Sequence, residues 1–142
     1  MAQAAHQAAG ENARLISACA AQAEDMFSAA GYLFVCPENL ASMSGEMKAF
    51  FDRCYYPLLG RIEGRPYATA IAAGSDGTGA QAQIDRIVKG WRLRRVADSL
   101  IVNLGAQSPE AILAEKVVPP FSLDQCSQLG ASLGEGLRLG VF

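Results

Sequence analysis

The sequence predicts an α/β fold, a parallel sheet covered by helices on both faces. Three observations carry this. Helix-like and strand-like segments alternate along the chain. The strand-like runs Tyr32 to Cys36, Tyr67 to Ala73 and Ser99 to Leu104 are apolar without a polar alternate, as in strands buried on both sides. No internal repeat or linker interrupts the order, which suits right-handed crossovers between parallel strands. At 142 residues the chain has the size of one domain.

Met1 to Ala9 is rich in Ala and Gln, both strong helix formers, and Gly10 is a natural stop. His6, the only histidine, has no acidic or Cys neighbour and reads as an exposed helix residue. Ala13 to Ala18 is read as a short strand. Ala20 to Ser28 is a short helix or turn with Glu24 and Asp25 outward and Met26 and Phe27 inward. The run Tyr32-Leu33-Phe34-Val35-Cys36 is the next strand, and Pro37 ends it because it has no N–H for the ladder. A polar loop, Glu38 to Ser44, leads into a helix. There Met47, Phe50, Phe51, Cys54 and Leu58 recur at threes and fours. Ser44 and Gly45 mark its start, with Glu46 where the helix dipole favours an anion. Pro57 and Gly60 end it; Tyr55 and Tyr56 there could stack on a planar ligand, with helix-end packing the favoured reading.

Arg61 to Pro66 is a charged loop before the narrow strand Tyr67 to Ala73. Gly74-Ser75-Asp76-Gly77-Thr78-Gly79 follows, then a helix with Ala80, Ile84, Ile87, Val88 and Trp91 on one face. Thr78 with Gln81 fits a capping box. After the strand Ser99 to Leu104, residues Gly105 to Pro120 form a long connection broken by Pro109, Pro119 and Pro120. The last helix is capped by Ser122 with Gln125, and its stripe is Cys126, Leu129, Leu133 and Leu137. Gly130, Gly134 and Gly136 weaken it, so it depends on packing.

The Glu38–Ser44 loop lies at the carboxyl end of a parallel strand and at a helix amino terminus. Open α/β sheets bind ligands there, because backbone N–H groups point outward. At these residues the chain resembles the flavodoxin-like NAD(P)H-dependent FMN reductases. Pro37, Asn39, Ser42, Ser44, Gly45, Lys48, Phe51, Asp52 and Arg53 match the loop and helix beside the flavin ring in that family. Glu38 departs from it, standing where the family commonly has an aromatic; a carboxylate there would alter the electrostatics of the ring or simply point to solvent. The resemblance implies a three-layer sheet of strand order 2-1-3-4-5. On that pattern Met1 to Ala9 is the tail of the first helix, Ala13 to Ala18 the second strand and Tyr32 to Cys36 the third. The first strand and its Ser/Thr- and Gly-rich phosphate loop have no counterpart. A sequence that starts late is the favoured reading of that gap, ahead of closure by strands two and three or loss of the cofactor.

The resemblance further implies FMN as cofactor, NAD(P)H as electron donor, a small-molecule acceptor and a homo-oligomer. The residues it assigns to the ring are Pro37, Glu38, Asn39, Leu40, Ala41, Ser42, Met43, Ser44 and Gly45 from one loop. From the other come Gly74, Ser75, Asp76, Gly77 and Gly79. Glycines let backbone approach a flat ring, and N–H groups can support charge near N1 and O2 of reduced flavin. On spacing alone, Gly74 to Gly79 is equally a plain tight turn and cap. As a phosphate cradle it is poor, lacking the Gly-Lys-Ser/Thr ending of a P-loop and carrying Asp76. Lys89, Arg92, Arg94 and Arg95 could draw an NADPH phosphate, although cations at a helix carboxyl end are favoured anyway. No side-chain acid or base is named. The alternative is a non-catalytic or truncated flavodoxin-like module that assembles with a partner.

Composition narrows the field. The chain is 51% hydrophobic and 18% charged, enough to bury a core, and its net charge of −2 gives no sign of nucleic acid or an anionic membrane surface as partner. Its apolar runs are too short to span a bilayer, and no signal peptide is visible, so a cytoplasmic protein is expected. Cys19, Cys36, Cys54 and Cys126 are scattered, which suits reduced core thiols better than disulfides or a metal site.

Overall fold

The computed structural model describes every residue, Met1–Phe142. The helices are α1 (Ala2–Ala8), α2 (Ala23–Ser28), α3 (Gly45–Leu58), α4 (Thr78–Gly90), α5 (Pro109–Leu113) and α6 (Pro120–Leu139). The strands are β1 (Tyr32–Asn39), β2 (Ser42–Met43), β3 (Pro66–Ala73), β4 (Arg94–Arg95) and β5 (Leu100–Asn103). Four of the five strands run parallel, with β3 between β1 on one side and β4 and β5 on the other. Tyr32 to Pro37 of β1 lie opposite Tyr67 to Ala72. On the other side, Leu100 to Asn103 of β5 lie opposite Ala70 to Ala73, and β4 pairs beside Pro66 and Tyr67. β2 folds back antiparallel on the end of β1.

One face of the sheet carries the large side chains. Phe34 and Cys36 of β1 and Ile71 of β3 pack with Phe50, Phe51 and Leu58 of α3 and Ile84 and Val88 of α4. Trp91, fully buried, closes this core. Its ring lies 5.5 Å from Phe51 and stacks at 5.8 Å on Tyr55, and its Nε1 donates to the Tyr55 carbonyl at 2.9 Å. Tyr55 is therefore helix-end packing. Its hydroxyl fills the space a Cβ would need at Gly90.

The other face is built from Ala68, Ala70 and Ala72, because side chains alternate along β3 and Thr69 points at α4. Small residues there let α6 lie close over β3. α1 in turn lies on α6. A Cβ at Gly130 would collide with the Ala5 carbonyl oxygen, and one at Gly134 with that of Ala9. Two of the three glycines that weaken α6 as an isolated helix, Gly130 and Gly134, are thus the surface that receives α1 and its end, while Gly136 makes room for the Phe142 ring. Gly130→Ala should accordingly destabilise the fold. The usual helix gain of about 1 kcal/mol is outweighed by an overpacking cost of about 1–3 kcal/mol. Urea unfolding checks this, and a variant more stable than wild type would refute it.

Several expectations are corrected. Ala13 to Ala18 is not a strand; it runs as irregular chain into a turn at 18–20. A strand exists only with a ladder partner, and here Arg14 instead reaches Asp25 at 3.3 Å and Ser28 at 3.2 Å. In the family order β1, β3 and β5 take the third, fourth and fifth places, so the second place as well as the first lacks a counterpart. Closure of the gap by a second strand is also ruled out: the margin of β1 away from β3 is paired only at Glu38 and Asn39. Pro37 does not end β1, which continues to Asn39, and a strand at the margin tolerates a proline. Pro57 lies inside the last turn of α3, which stops at Leu58. Gly60 follows at φ +74°, in the left-handed reversal expected of it. The N-cap of α4 is Gly77 rather than Thr78, whose hydroxyl donates to Asp76 at 2.7 Å. Gln81 turns inward, accepting from Thr69 at 2.7 Å and donating to Asp85 at 2.9 Å. Pro119 rather than Ser122 precedes the first turn of α6, and the long connection holds α5. Cys36, Cys54 and Cys126 are buried thiols, whereas Cys19 is exposed. His6 is half-buried, its Nε2 donating to the Ala13 carbonyl at 3.1 Å.

Candidate functional site

Because β1 and β3 are parallel neighbours in register, they end together. The Pro37–Gly45 and Gly74–Gly79 segments therefore emerge side by side at their carboxyl ends. The first is a hairpin rather than an open loop. Asn39 pairs with Ser42, and Leu40 (φ +52°) and Ala41 (φ +59°) form the two-residue turn. Two left-handed residues in succession make the turn type that matches strand twist, ordinarily filled by Asn-Gly. With Leu and Ala there, the turn is strained and needs support from elsewhere. Leu40 at its tip is fully exposed.

That support comes from α4. The Glu38 carboxylate accepts from the Gly77 amide at 2.8 Å with Oε1 and from the Ala80 amide at 2.9 Å with Oε2. It satisfies two of the helix's first N–H groups, where an anion is favoured. Gln83 Oε1 accepts from the Ser42 hydroxyl at 2.9 Å and from the Met43 amide at 3.0 Å. Gly79 lies so close to the Ala41 carbonyl oxygen that a Cβ would collide with it. Gly77, at φ +95°, has the Ile101 side chain against it.

The glycine turn is braced from behind by β5. The Asn103 side-chain amide donates to the Ser75 carbonyl, while its Oδ1 accepts from Gly105 at 2.9 Å. The Ala106 amide donates to the Gly74 carbonyl at 2.7 Å. Ser44 caps α3, its hydroxyl accepting from the Met47 amide at 3.4 Å. Burial pushes the Cys36 thiol up, only partly offset by a hydrogen bond with the Ser44 backbone, so it stays protonated rather than acting as a nucleophile.

The sequence-predicted residues are thus brought together, but in unequal positions. Pro37, Asn39, Leu40, Ala41, Gly45, Ser75 and Asp76 are exposed along the edge. Met43 belongs to the core, and Ser44 and Gly77 are buried. Glu38 points neither to solvent nor across a bare loop; it ties the two segments together. Gln83 and Asn103, which hold the site from outside it, carry no local sequence signal, since each acts across the fold. A separate cavity of about 460 Å³ includes only Gly45 of the set, with Cys19, Glu46, Ala49 and Arg53. Arg53 is committed there to the Ala18 and Ala21 carbonyls at 2.8 and 2.7 Å.

The basic cluster is remote. Arg94 pairs beside Pro66 at the start of β3, roughly 20 Å by strand rise from its end. Arg95 pairs with Asp85 and donates to Ser99 at 2.6 Å, and Arg92 pairs with Glu63 at 3.3 Å. These contacts are those of a surface and a strand edge.

The donor set fits the ring end of FMN. It offers backbone groups, the Ser75 hydroxyl and a Gly45 backbone with open space around its α-carbon. Neither segment contains Lys, Arg or His, so the phosphate end has no charged partner among them.

An open parallel sheet between helical layers, with a glycine turn and a hairpin at its carboxyl edge, is the flavodoxin-like fold. The chain matches the family model of the NADPH-dependent FMN reductases over residues 7–105 and belongs to that family. Solved structures agree on the fold. The metal-soaked flavodiiron core of Flv1 from Synechocystis sp. PCC6803 superposes with a TM-score of 0.73 at 16% identity, over 97% of this chain and 32% of that one. This chain thus spans about a third of that protein. A flavodoxin from the domain Archaea gives 0.71 at 14% identity, over 96% of this chain and 90% of that one. The flavodoxin, WrbA-like protein from Agrobacterium tumefaciens gives 0.67 at 15% identity, over 96% of this chain and 87% of that one. No curated protein matches the chain. No helix is long and apolar enough to cross a membrane.

Proposed function

We propose that this chain is an FMN-binding oxidoreductase that takes electrons from NAD(P)H and delivers them as hydride to a small acceptor. The observation that supports this best is the paired edge: a glycine turn and a hairpin, held together by Glu38, at the ends of adjacent parallel strands. FMN, when bound, supplies the hydride chemistry, and the protein supplies the slot and its electrostatics. The residues proposed to line the ring are the exposed parts of Pro37–Gly45 and Gly74–Gly79. Their backbone orients the ring, and the hairpin tip at Leu40 excludes water from one side. We propose further that the protein is cytoplasmic and assembles as a homo-oligomer.

The test is reconstitution with FMN. Protein that turns yellow, shows flavin absorbance after gel filtration and oxidises NADPH bears the proposal out. Colourless protein with no flavin titration at micromolar concentration rejects it. The open margin of β1 favours one other reading, a flavodoxin-like module completed by a partner. That reading expects an associated species in gel filtration and no flavin band.

A further inference from the structure

We propose that Glu38 is the positioning residue of the ring edge, a latch whose negative charge also sets how strongly the site favours oxidised over reduced flavin. This rests on the flavin reading above. Two facts motivate it. The carboxylate spans both segments, joining the end of β1 to the Gly77 and Ala80 amides at 2.8 and 2.9 Å. The turn that follows it carries two left-handed non-glycine residues, Leu40 and Ala41, and such strain persists only where neighbouring contacts hold it.

The electrostatic consequence has a definite sign. Backbone amides at a helix start would ordinarily support the charge that reduced flavin gathers on its pyrimidine edge. Here two of them are already occupied by an internal anion. The carboxylate both withholds those donors and adds like charge nearby, so it disfavours the reduced ring relative to the oxidised one. Removing the charge while keeping the size should favour reduced FMN. Shortening the side chain while keeping the charge should loosen the hairpin and leave that preference largely in place.

The experiment has two arms, on the full chain. In protein without flavin, amide exchange at Gly77 and Ala80 is followed by NMR in wild type, Glu38→Gln and Glu38→Asp. At least one of the two amides should exchange tenfold or more faster in each variant; unchanged exchange at both overturns the latch. In protein loaded with FMN, the midpoint potential is measured for the same three. In Glu38→Gln the ratio of reduced to oxidised FMN affinity should rise about tenfold, a shift of about 30 mV for a two-electron couple. Glu38→Asp should stay near wild type in potential, and a rise there as large as in Glu38→Gln overturns the assignment to charge; its amide exchange tests the latch if the Gln variant does not fold. A potential unchanged in Glu38→Gln, with flavin bound by both proteins, overturns this inference and leaves the flavin reading standing. Wild-type protein that binds no FMN overturns both.

Discussion

Gly79→Ala should release the hairpin from α4 and lower FMN affinity at least tenfold. Gly79 lies in the first turn of α4, where alanine is ordinarily the better residue by about 1 kcal/mol. Here the added methyl meets the Ala41 carbonyl oxygen and crowds the Glu38 carboxylate. Neither is the far end of a flexible chain: Ala41 sits in a strained turn, and Glu38 is held by two amides. Relief requires the hairpin to move away, which opens the edge proposed to hold the ring. Quenching of FMN fluorescence on titration measures the effect. Equal affinity in the two proteins would mean that the hairpin is not part of the site. Because the methyl sits at a surface edge, the loss of folding stability should be smaller than the loss of binding.

Trp91→Ala should be the most damaging of the stability changes, at about 3–5 kcal/mol. Trp91 is fully buried, it touches Phe51 and Tyr55 with its ring, and its Nε1 is the donor for the Tyr55 carbonyl at the end of α3. Truncation leaves a large void at the junction of α3 and α4 and a carbonyl without its donor. Urea denaturation followed by tyrosine fluorescence or circular dichroism reads the change. A cost below about 1 kcal/mol would show that the site collapses around the gap, contrary to the packing described.

The layout was legible where the signal is local. The apolar runs at Tyr32 and Tyr67 and the three-and-four spacing from Met47 to Leu58 gave β1, β3 and α3, because burial on two faces or on one stripe writes itself into adjacent residues. The nearness of the two candidate segments followed, since it needs only that two parallel strands end together. Its interior did not. The hairpin at Leu40 and Ala41 lacks the Asn-Gly signature of its turn, and its cause lies in Glu38, Gly79 and Gln83 acting across about forty residues. Ala13 to Ala18 misled for the opposite reason: a short apolar run reads as a strand, but nothing in it states whether a neighbour is present to pair with. β4, two exposed arginines, is a strand only because Pro66 and Tyr67 lie beside it.

The alanine-lined side of β3 and the glycines of α6 leave a lasting mark on how this sequence can drift. Residues already at minimum volume can change in one direction, towards bulk. That half of the molecule has little to lose by truncation and much to lose by enlargement, the reverse of the aromatic half around Phe51. A saturation library of single substitutions would therefore divide by layer: shrinking changes fail on one side of the sheet, swelling changes on the other.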